Sequence, residues 1–343
     1  MESSIAPHLR RPRTVPTRTG PDFRPPYPSF SARFPQHTRE VVMAYLGVQW
    51  PDRDGVPTAV TEAVAALRAS LVAGGAGHVD LAEYVDEAGF RTRVVIAYWT
   101  DPDAYRRWRA ADDWTAPEHA GAGLGRFREV VVPTVDRFET LFSSDRLDGV
   151  ARLADGLSGE IREHAYWGGA RDRLPIAQDG EIAPEGRVRV TVDGPVRTVR
   201  PGRNVCLIRS GQEWTETAGE ERRMYLEDVE PHLRAGMEYL RDEGLAVGCH
   251  VNRYMTVLDD DGAPTDRTFG LSWWRSMAEL DTWAESHPTH LAIFRAAMRY
   301  LSTMGPAANL RLHHEVTVAE GDDTEFVYVG CHDRTGLLRA VGA

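Results

Sequence analysis

Cysteine is scarce in this chain of 343 residues, which contains Cys206, Cys249 and Cys331. The three lie far apart and form no Cys-x-x-Cys pair, so both a disulfide framework and a zinc site made of cysteines are disfavoured. This usage fits a reducing compartment, and we expect a cytoplasmic protein.

Long apolar runs and an excess of basic charge are also missing. No apolar stretch approaches the length that crosses a membrane, and Met1 to Pro35 lacks the apolar core of a secretory signal. We expect that Arg- and Pro-rich segment to be an irregular arm lying across the protein, with a transit peptide as the alternative. The formal net charge is −11, which disfavours nucleic acid and anionic membrane as partners, since both need a basic face.

What the sequence does contain is the composition of a globular protein and an internal repeat. The order strand, helix, strand, strand, helix, strand occurs twice. Trp99 and Trp108 in the first copy match Trp274 and Trp283 in the second, with the same spacing of nine residues. We therefore predict an α+β protein of two ferredoxin-like halves, 41–145 and 204–343. Residues 1–40 would be the arm, and 146–203 a connecting region with a hairpin near 186–199.

Four of the twelve histidines lie close together near the C-terminus: His287, His290, His313 and His314. Between the two pairs, residues 291–304 have helical periodicity, and their predicted buried stripe is Leu291, Phe294, Met298 and Leu301. His290 lies on that stripe. Asn309 to Val318 alternates as a strand, with His314 on its apolar side and His313 on the other.

Two inward-facing histidines on adjacent elements suit an axial iron ligand and a proton-transfer group. The alternative is a pair of hydrogen-bonded core histidines, and spacing alone does not identify haem. His119 follows Pro117-Glu118 much as His290 follows Pro288-Thr289. Because no apolar helical stripe surrounds His119, we interpret it as a loop histidine.

Short segments spread nearly end to end are weak singly but specific as an ordered set. They are Met1-Glu-Ser, Tyr45-Leu-Gly-Val-Gln49, Phe127-Arg-Glu129, Arg137-Phe-Glu-Thr-Leu141, Ser158-Gly-Glu160, Glu163-His-Ala-Tyr-Trp-Gly168, Leu207-Ile-Arg-Ser-Gly-Gln212, Ala246-Val-Gly248, Asn252-Arg253, Trp283-Ala-Glu-Ser-His-Pro-Thr-His-Leu291 and His314-Glu-Val316. In this order they resemble the haem-containing aldoxime dehydratases, which include aliphatic aldoxime dehydratase and phenylacetaldoxime dehydratase.

The resemblance implies an enzyme, a lyase that converts a small aldoxime, R–CH=N–OH, to a nitrile, R–C≡N, and water. The implied cofactor is haem b, ferrous in the active form. The implied architecture is a dimeric α+β barrel in a homodimer, with haem in the C-terminal half, which agrees with the repeat. Whether the aldoxime carries an alkyl or an arylalkyl group stays open.

The resemblance also assigns the two histidine pairs. The last histidine of Ser-His-Pro-Thr-His binds iron in the family and corresponds to His290, whereas His287 would cap the start of the helix. The family's distal histidine precedes Glu-Val and corresponds to His314. His313 stands where an aromatic Tyr is familiar, and the preceding loop is a few residues longer.

Further distal residues carry over by the same resemblance. The serine of Ile-Arg-Ser-Gly-Gln is Ser210, which would orient the oxime oxygen; taken alone it would be a strand-end hydroxyl. The family's distal arginine and glutamate correspond to Arg173 and Glu139, which would position His314 or tune its pKa. Taken alone, they would be a surface charge and a partner for a nearby arginine. His314, as imidazolium, would protonate the departing oxygen and then accept the proton of the aldoxime carbon.

Two other functions fit parts of the pattern. The first is a haem peroxidase of the dye-decolourising type, one family of which carries a Gly-x-x-Asp-Gly motif. Asp155-Gly156 and Asp261-Gly262 provide only the end of that motif. The second is a non-catalytic haem-binding or small-ligand-binding α+β barrel, which would need the iron ligand but not the pair of Ser210 and His314.

Overall fold

The computed structural model of the protein describes residues 1–53, 55–121, 123–165 and 169–342. Up to residue 145 its helices and strands are, in chain order, β1 (Ala32–Arg33), β2 (Val42–Pro51), α1 (Thr58–Ala73), β3 (His78–Val85), β4 (Phe90–Trp99), α2 (Pro102–Ala111), β5 (Gly125–Val131) and β6 (Phe138–Phe142). Strand β2 is buried on both faces, as its nearly continuous apolar run predicts. Helix α1 buries one stripe at helical spacing, from Val60 to Leu71.

The rest of the chain starts with short elements and continues with long ones. These are β7 (Gly156–Leu157), α3 (Gly169–Arg173), β8 (Arg189–Asp193), β9 (Val196–Arg200), β10 (Val205–Glu213), α4 (Gly219–Met224), α5 (Glu230–Glu243), β11 (Cys249–Leu258), β12 (Pro264–Trp274), α6 (Met277–Ser286), α7 (Pro288–Met304), β13 (Arg311–Ala319) and β14 (Thr324–Val329). The predicted hairpin of the connecting region is formed by β8 and β9.

Within the described residues, twelve strands form one antiparallel sheet in the order β6-β13-β10-β12-β11-β3-β4-β2-β5-β14-β9-β8. The strands β2 to β5 and the strands β10 to β13 follow the same internal order, second-third-first-fourth. Pairing of β3 with β11 joins the two groups. The prediction of an α+β fold is therefore confirmed, with one large sheet spanning both copies of the repeat.

Two strands, β6 and β14, cross between the two parts of the sheet. β6 precedes the connecting region, yet it pairs with β13. β14 follows the last strand of the second group and pairs with β5 and with the hairpin strand β9. Each group of four strands is thus extended by a strand from the other end of the chain.

Contacts between strands that are not neighbours show that the sheet is curled. The Tyr98 hydroxyl on β4 donates to Glu315 on β13 at 2.7 Å. Arg253 on β11 donates two hydrogen bonds, 2.6 and 2.5 Å long, to Glu129 on β5. The inner faces of both strand groups therefore enclose a common core. Helices α1 and α2 cover one outer face, and α5 and α6 cover the other.

The helical segment between β10 and β11 is not one regular α-helix. A π-helical turn, Tyr225–Val229, separates α4 from α5. Pro231, the second residue of α5, has no N–H group for the helical hydrogen bond, so the regular ladder cannot continue through this point. Among the helices of the described residues, none combines the length and the apolar character needed to cross a lipid bilayer.

Replacing Glu129 by Leu should lower the free energy of unfolding by about 3–5 kcal/mol, because it leaves the charge of Arg253 buried without its partner. Both side chains are at most 1% exposed. Urea unfolding monitored by tryptophan fluorescence measures the loss. The double variant Glu129→Leu/Arg253→Met removes both charges and should lie closer to the parent; an equal loss in both variants would contradict the argument.

Candidate active site

His290 lies in the first turn of α7, and its orientation is fixed by the end of the preceding helix. Its Nδ1 is 2.8 Å from the carbonyl oxygen of Ala284 in α6. A carbonyl oxygen can only accept, so Nδ1 carries the hydrogen and Nε2 the lone pair. His287 caps α7, as expected, with Nδ1 accepting from the N–H of Thr289.

The surroundings of His290 keep its imidazole neutral. The ring of Trp283 meets it edge to face, with 4.5 Å between the ring centroids. Burial lowers the pKa of His290 to about 4. A neutral imidazole whose tautomer is set by a hydrogen bond from its other nitrogen is the form that binds a metal. The donor chemistry therefore fits an axial ligand of haem iron.

The apolar stripe of α7 is less buried than predicted. Its four members are all half-buried, whereas the buried residues of the helix are Ala296 and Tyr300. Ile293 packs with Leu233 and Met237 of α5. The remaining apolar surface of the stripe suits a large apolar ligand, as expected if α7 lies against a haem.

The pairing of β10 with β13 brings the two predicted distal residues together. Ser210 is directly opposite His314 in the antiparallel register. Side chains of directly opposed residues point to the same face, with Cβ atoms about 4.5–5.5 Å apart. This is the outer face of the sheet, which continues with Val316 in the apolar cluster that includes Trp283.

Ser210 lies inside β10, so its interpretation as a strand-end hydroxyl is wrong. Gly211 does not end the strand, which continues to Glu213. The absence of a side chain at Gly211 makes room for the ring of His313 on β13. A Cβ built on Gly211 would lie 1.9 Å from the ring of His313. His313 points to the face opposite His314, as predicted, and stacks on Phe142 with 5.9 Å between the ring centroids.

The electrostatic environment of His314 strongly favours its neutral form. Burial, as the largest cause, and the positive charge of Arg173 together lower the pKa of His314 to about 3. A positive charge on His290 or His164 would act in the same direction. Arg173, His290 and His164 therefore all lie within electrostatic range of His314. At pH 7 His314 is a neutral imidazole.

Arg173 is buried, which corrects its interpretation as a surface charge. Its Nε and Nη2 donate to the two carboxylate oxygens of Glu139, at 2.6 and 3.1 Å. Glu139 lies opposite Val316 in the pairing of β6 with β13, on the same face as His314. Burial raises the pKa of Glu139, while the charge of Arg173 lowers it. Such a two-pronged ion pair holds both side chains in one orientation.

Sequence reasoning missed His164 as a residue of the site. Its Nδ1 is 3.1 Å from the carbonyl oxygen of Tyr27, and a positive charge on its ring would lower the pKa of His314. The available signal was its place in the segment Glu163-His-Ala-Tyr-Trp-Gly168, of which residues 166–168 lie outside the described residues. His119 ends a one-turn 3₁₀-helix, Pro117–His119, between α2 and β5.

A neutral helical histidine and a serine–histidine pair on the outer face of a curled antiparallel sheet together fit the needs of a haem enzyme. Comparison with known proteins gives the family. The family described as haem-containing dehydratase matches residues 44–337. The aliphatic aldoxime dehydratase of Pseudomonas chlororaphis is 42% identical over 351 residues, covering 99% of this chain and 98% of that relative.

Two further similarities agree with this match. The phenylacetaldoxime dehydratase of Bacillus sp. (strain OxB-1) is 30% identical over 324 residues, covering 90% of each chain. A crystal structure of an aldoxime dehydratase in complex with butyraldoxime superposes with a TM-score of 0.94 at 39% identity, covering 99% of this chain and 97% of the other. The chain belongs to the haem-containing dehydratase family. The predicted family, enzyme class and haem dependence are thereby confirmed.

Proposed function

We propose that this protein converts aldoximes to nitriles and water with haem bound at His290. The observation that supports it most is the arrangement of the site: a neutral, tautomer-fixed histidine on α7 and the opposed pair Ser210–His314 on the sheet. The cofactor would be haem b, ferrous in the active form. When bound, haem supplies an electron-rich iron that holds the oxime nitrogen and weakens the N–O bond.

The protein's own groups would move the protons. The N–O bond breaks as the leaving oxygen takes a proton from His314 and departs as water. His314, now neutral, accepts the proton of the aldoxime carbon, and the electron pair of that C–H bond completes the triple bond. No oxidant or reductant is consumed. Ser210, opposite His314 in the strand register, would hydrogen-bond the oxime oxygen and keep it near the imidazole.

Arg173 and Glu139 would set the position and the acidity of His314. Burial and Arg173 make the imidazolium of His314 a strong acid, which helps a poor leaving group to depart. Glu139 binds Arg173 through both carboxylate oxygens and offsets its charge. The pair therefore limits how far Arg173 lowers the pKa of His314.

The finer architecture belongs to the same proposal. The repeated strand order supports two ferredoxin-like halves, 41–145 and 204–343, in a dimeric α+β barrel. Residues 1–40 would be an arm and 146–203 a connecting region. The family resemblance supports a homodimer, and three buried, free cysteines support a cytoplasmic location.

The reduced holoprotein should convert butyraldoxime to its nitrile without added peroxide. We expect a higher kcat/KM for butyraldoxime than for phenylacetaldehyde oxime, since the chain shares 42% identity with an aliphatic enzyme and 30% with a phenylacetaldoxime enzyme. Gas chromatography of the dithionite-reduced protein measures both rates. Turnover that requires peroxide, or no nitrile from either oxime, would contradict the proposed reaction.

His290→Ala should lose bound haem, because it removes the imidazole whose Nε2 lone pair is kept free by the hydrogen bond of Nδ1 to the Ala284 carbonyl oxygen. The Soret absorbance per protein after purification measures haem retention. His287→Ala is the matched control, since it removes a neighbouring histidine that caps the helix and packs on Tyr239 and Trp283, and it should retain haem. An unchanged Soret band in His290→Ala would exclude this residue as the iron ligand.

His314→Ala should retain haem and bind aldoxime, yet reduce kcat by about 10²–10⁴-fold, the usual contribution of a positioned acid–base group. The pH profile of the parent tests the order of proton transfers. Because the pKa of His314 is lowered to about 3, its imidazolium fraction rises about tenfold for each pH unit lost above that value. The kcat should therefore increase from pH 8 to pH 6. A flat profile would make the neutral imidazole the working form.

A further inference from the structure

Helix α3, Gly169–Arg173, is too short to be stable alone, yet it carries the distal arginine. The N-terminal arm holds this helix in place, mainly through residues 13–19. We call these residues the strap. The strap crosses over α3 and contacts it through side chains and through the backbone. The most extensive of these contacts are to Asp172, the residue directly before Arg173.

Asp172 is fully buried and its carboxylate is held by the strap. The backbone N–H of Arg18 is 3.0 Å from both carboxylate oxygens. The backbone N–H and the hydroxyl of Thr19 both donate to Oδ2, each at 3.2 Å. A buried carboxylate needs such donors, because an unpaired charge in the interior costs several kcal/mol.

The backbone of α3 is tied to the strap as well. Arg13 donates to the carbonyl oxygen of Asp172 at 2.7 Å. Arg171 donates in return to the carbonyl oxygen of Pro16 at 2.6 Å. The arm therefore fixes the orientation of α3 through hydrogen bonds at both Arg171 and Asp172.

A second arm contact bears on Arg173 from another direction. Its Nη1 donates to the backbone carbonyl of Glu163 at 3.0 Å. The side chain of Glu163 is in turn held by the hydroxyl of Ser3 and the N–H of Ser4, at 3.1 and 2.8 Å. Two hydrogen-bonded groups around Arg173 thus depend on the first nineteen residues.

The strap also reaches the helix that orients the proposed iron ligand. The side chain of Arg18 forms an ion pair with Asp281 of α6 at 3.6 Å and another with Glu285. Glu285 directly follows Ala284, whose carbonyl oxygen fixes His290. One residue of the strap therefore contacts both α3 and α6, the elements that carry Arg173 and support His290.

We infer that Asp172 is a positioning residue for catalysis, which anchors the arm so that Arg173 and Glu139 hold their geometry beside His314. This rests on the role of Arg173 in the proposed function. A displacement of about 1 Å in such a group can cost about 10²-fold in rate. The arm is then part of the catalytic apparatus and not only a covering segment.

Asp172→Ala in the full-length holoprotein should lower kcat by about 10–100-fold while haem content and KM stay near the parent values. The C–O stretching frequency of the ferrous carbonyl complex should shift, because it reports the polar groups near the bound ligand. A purely structural role would lower the unfolding temperature without moving that frequency. Asp172→Asn keeps an acceptor of the same shape and should recover most of kcat.

Asp179→Ala is the matched control, since Asp179 pairs with Arg11 of the arm at 3.2 Å and, within the described residues, forms no hydrogen bond or ion pair with α3. It should leave kcat and the C–O frequency unchanged. Should Asp172→Ala fail to fold, Thr19→Val decides, because it removes one donor to Asp172 and should lower kcat about fivefold, the equivalent of one hydrogen bond. Parent-like kcat and C–O frequency in Asp172→Ala, or in Thr19→Val where that variant decides, overturn the inference.

Arg173→Gln separates this inference from the proposed function. If Arg173→Gln keeps the parent kcat, the proposed role of Arg173 itself fails. If Arg173→Gln is slow while Asp172→Ala is normal, Arg173 acts as proposed and only the role of the arm fails.

Discussion

The register between β10 and β13 is the constraint on which the distal side of the site depends. It sets Ser210 opposite His314 on the outer face and Gly211 opposite His313 on the inner face. Side chains alternate along a strand, so a slip of one residue would move each strand's residues to the wrong face. The serine and the imidazole would then no longer face the same space. The chemistry of the site is thus a consequence of strand pairing.

Buried charges on the inner face explain why this register is the stable one. Glu315, next to His314, accepts from the Tyr98 hydroxyl at 2.7 Å and from the N–H of Val150 at 2.8 Å. Arg209, next to Ser210, is fully buried and donates to the Tyr98 hydroxyl and to Asp80. Any slip would leave these charges buried without partners, which costs several kcal/mol. Ion pairs in the core therefore keep Ser210 and His314, the proposed catalytic pair, aligned on the other face.

Local patterns sufficed for α7, for β13 and for the repeated order of elements, because periodicity depends only on neighbouring residues. The resemblance supplied the residue roles. Neither could show that Ser210 lies mid-strand, since that depends on His313 of a partner strand filling the space above Gly211. The pairing of Arg173 with Glu139, and the crossing of β6 and β14 between the strand groups, likewise depend on contacts between distant segments.

The low pKa of His314 depends on the groups that surround it. Burial and Arg173 both disfavour the imidazolium, which makes that ion a strong acid but a rare one at neutral pH. An unpaired Arg173 would make it rarer still, so in the proposed mechanism the two hydrogen bonds to Glu139 would matter for rate as well as for stability. Since the balance depends on distance, whatever fixes Arg173 also fixes the acidity of His314. In this protein that support comes from the arm, the segment with the least regular structure.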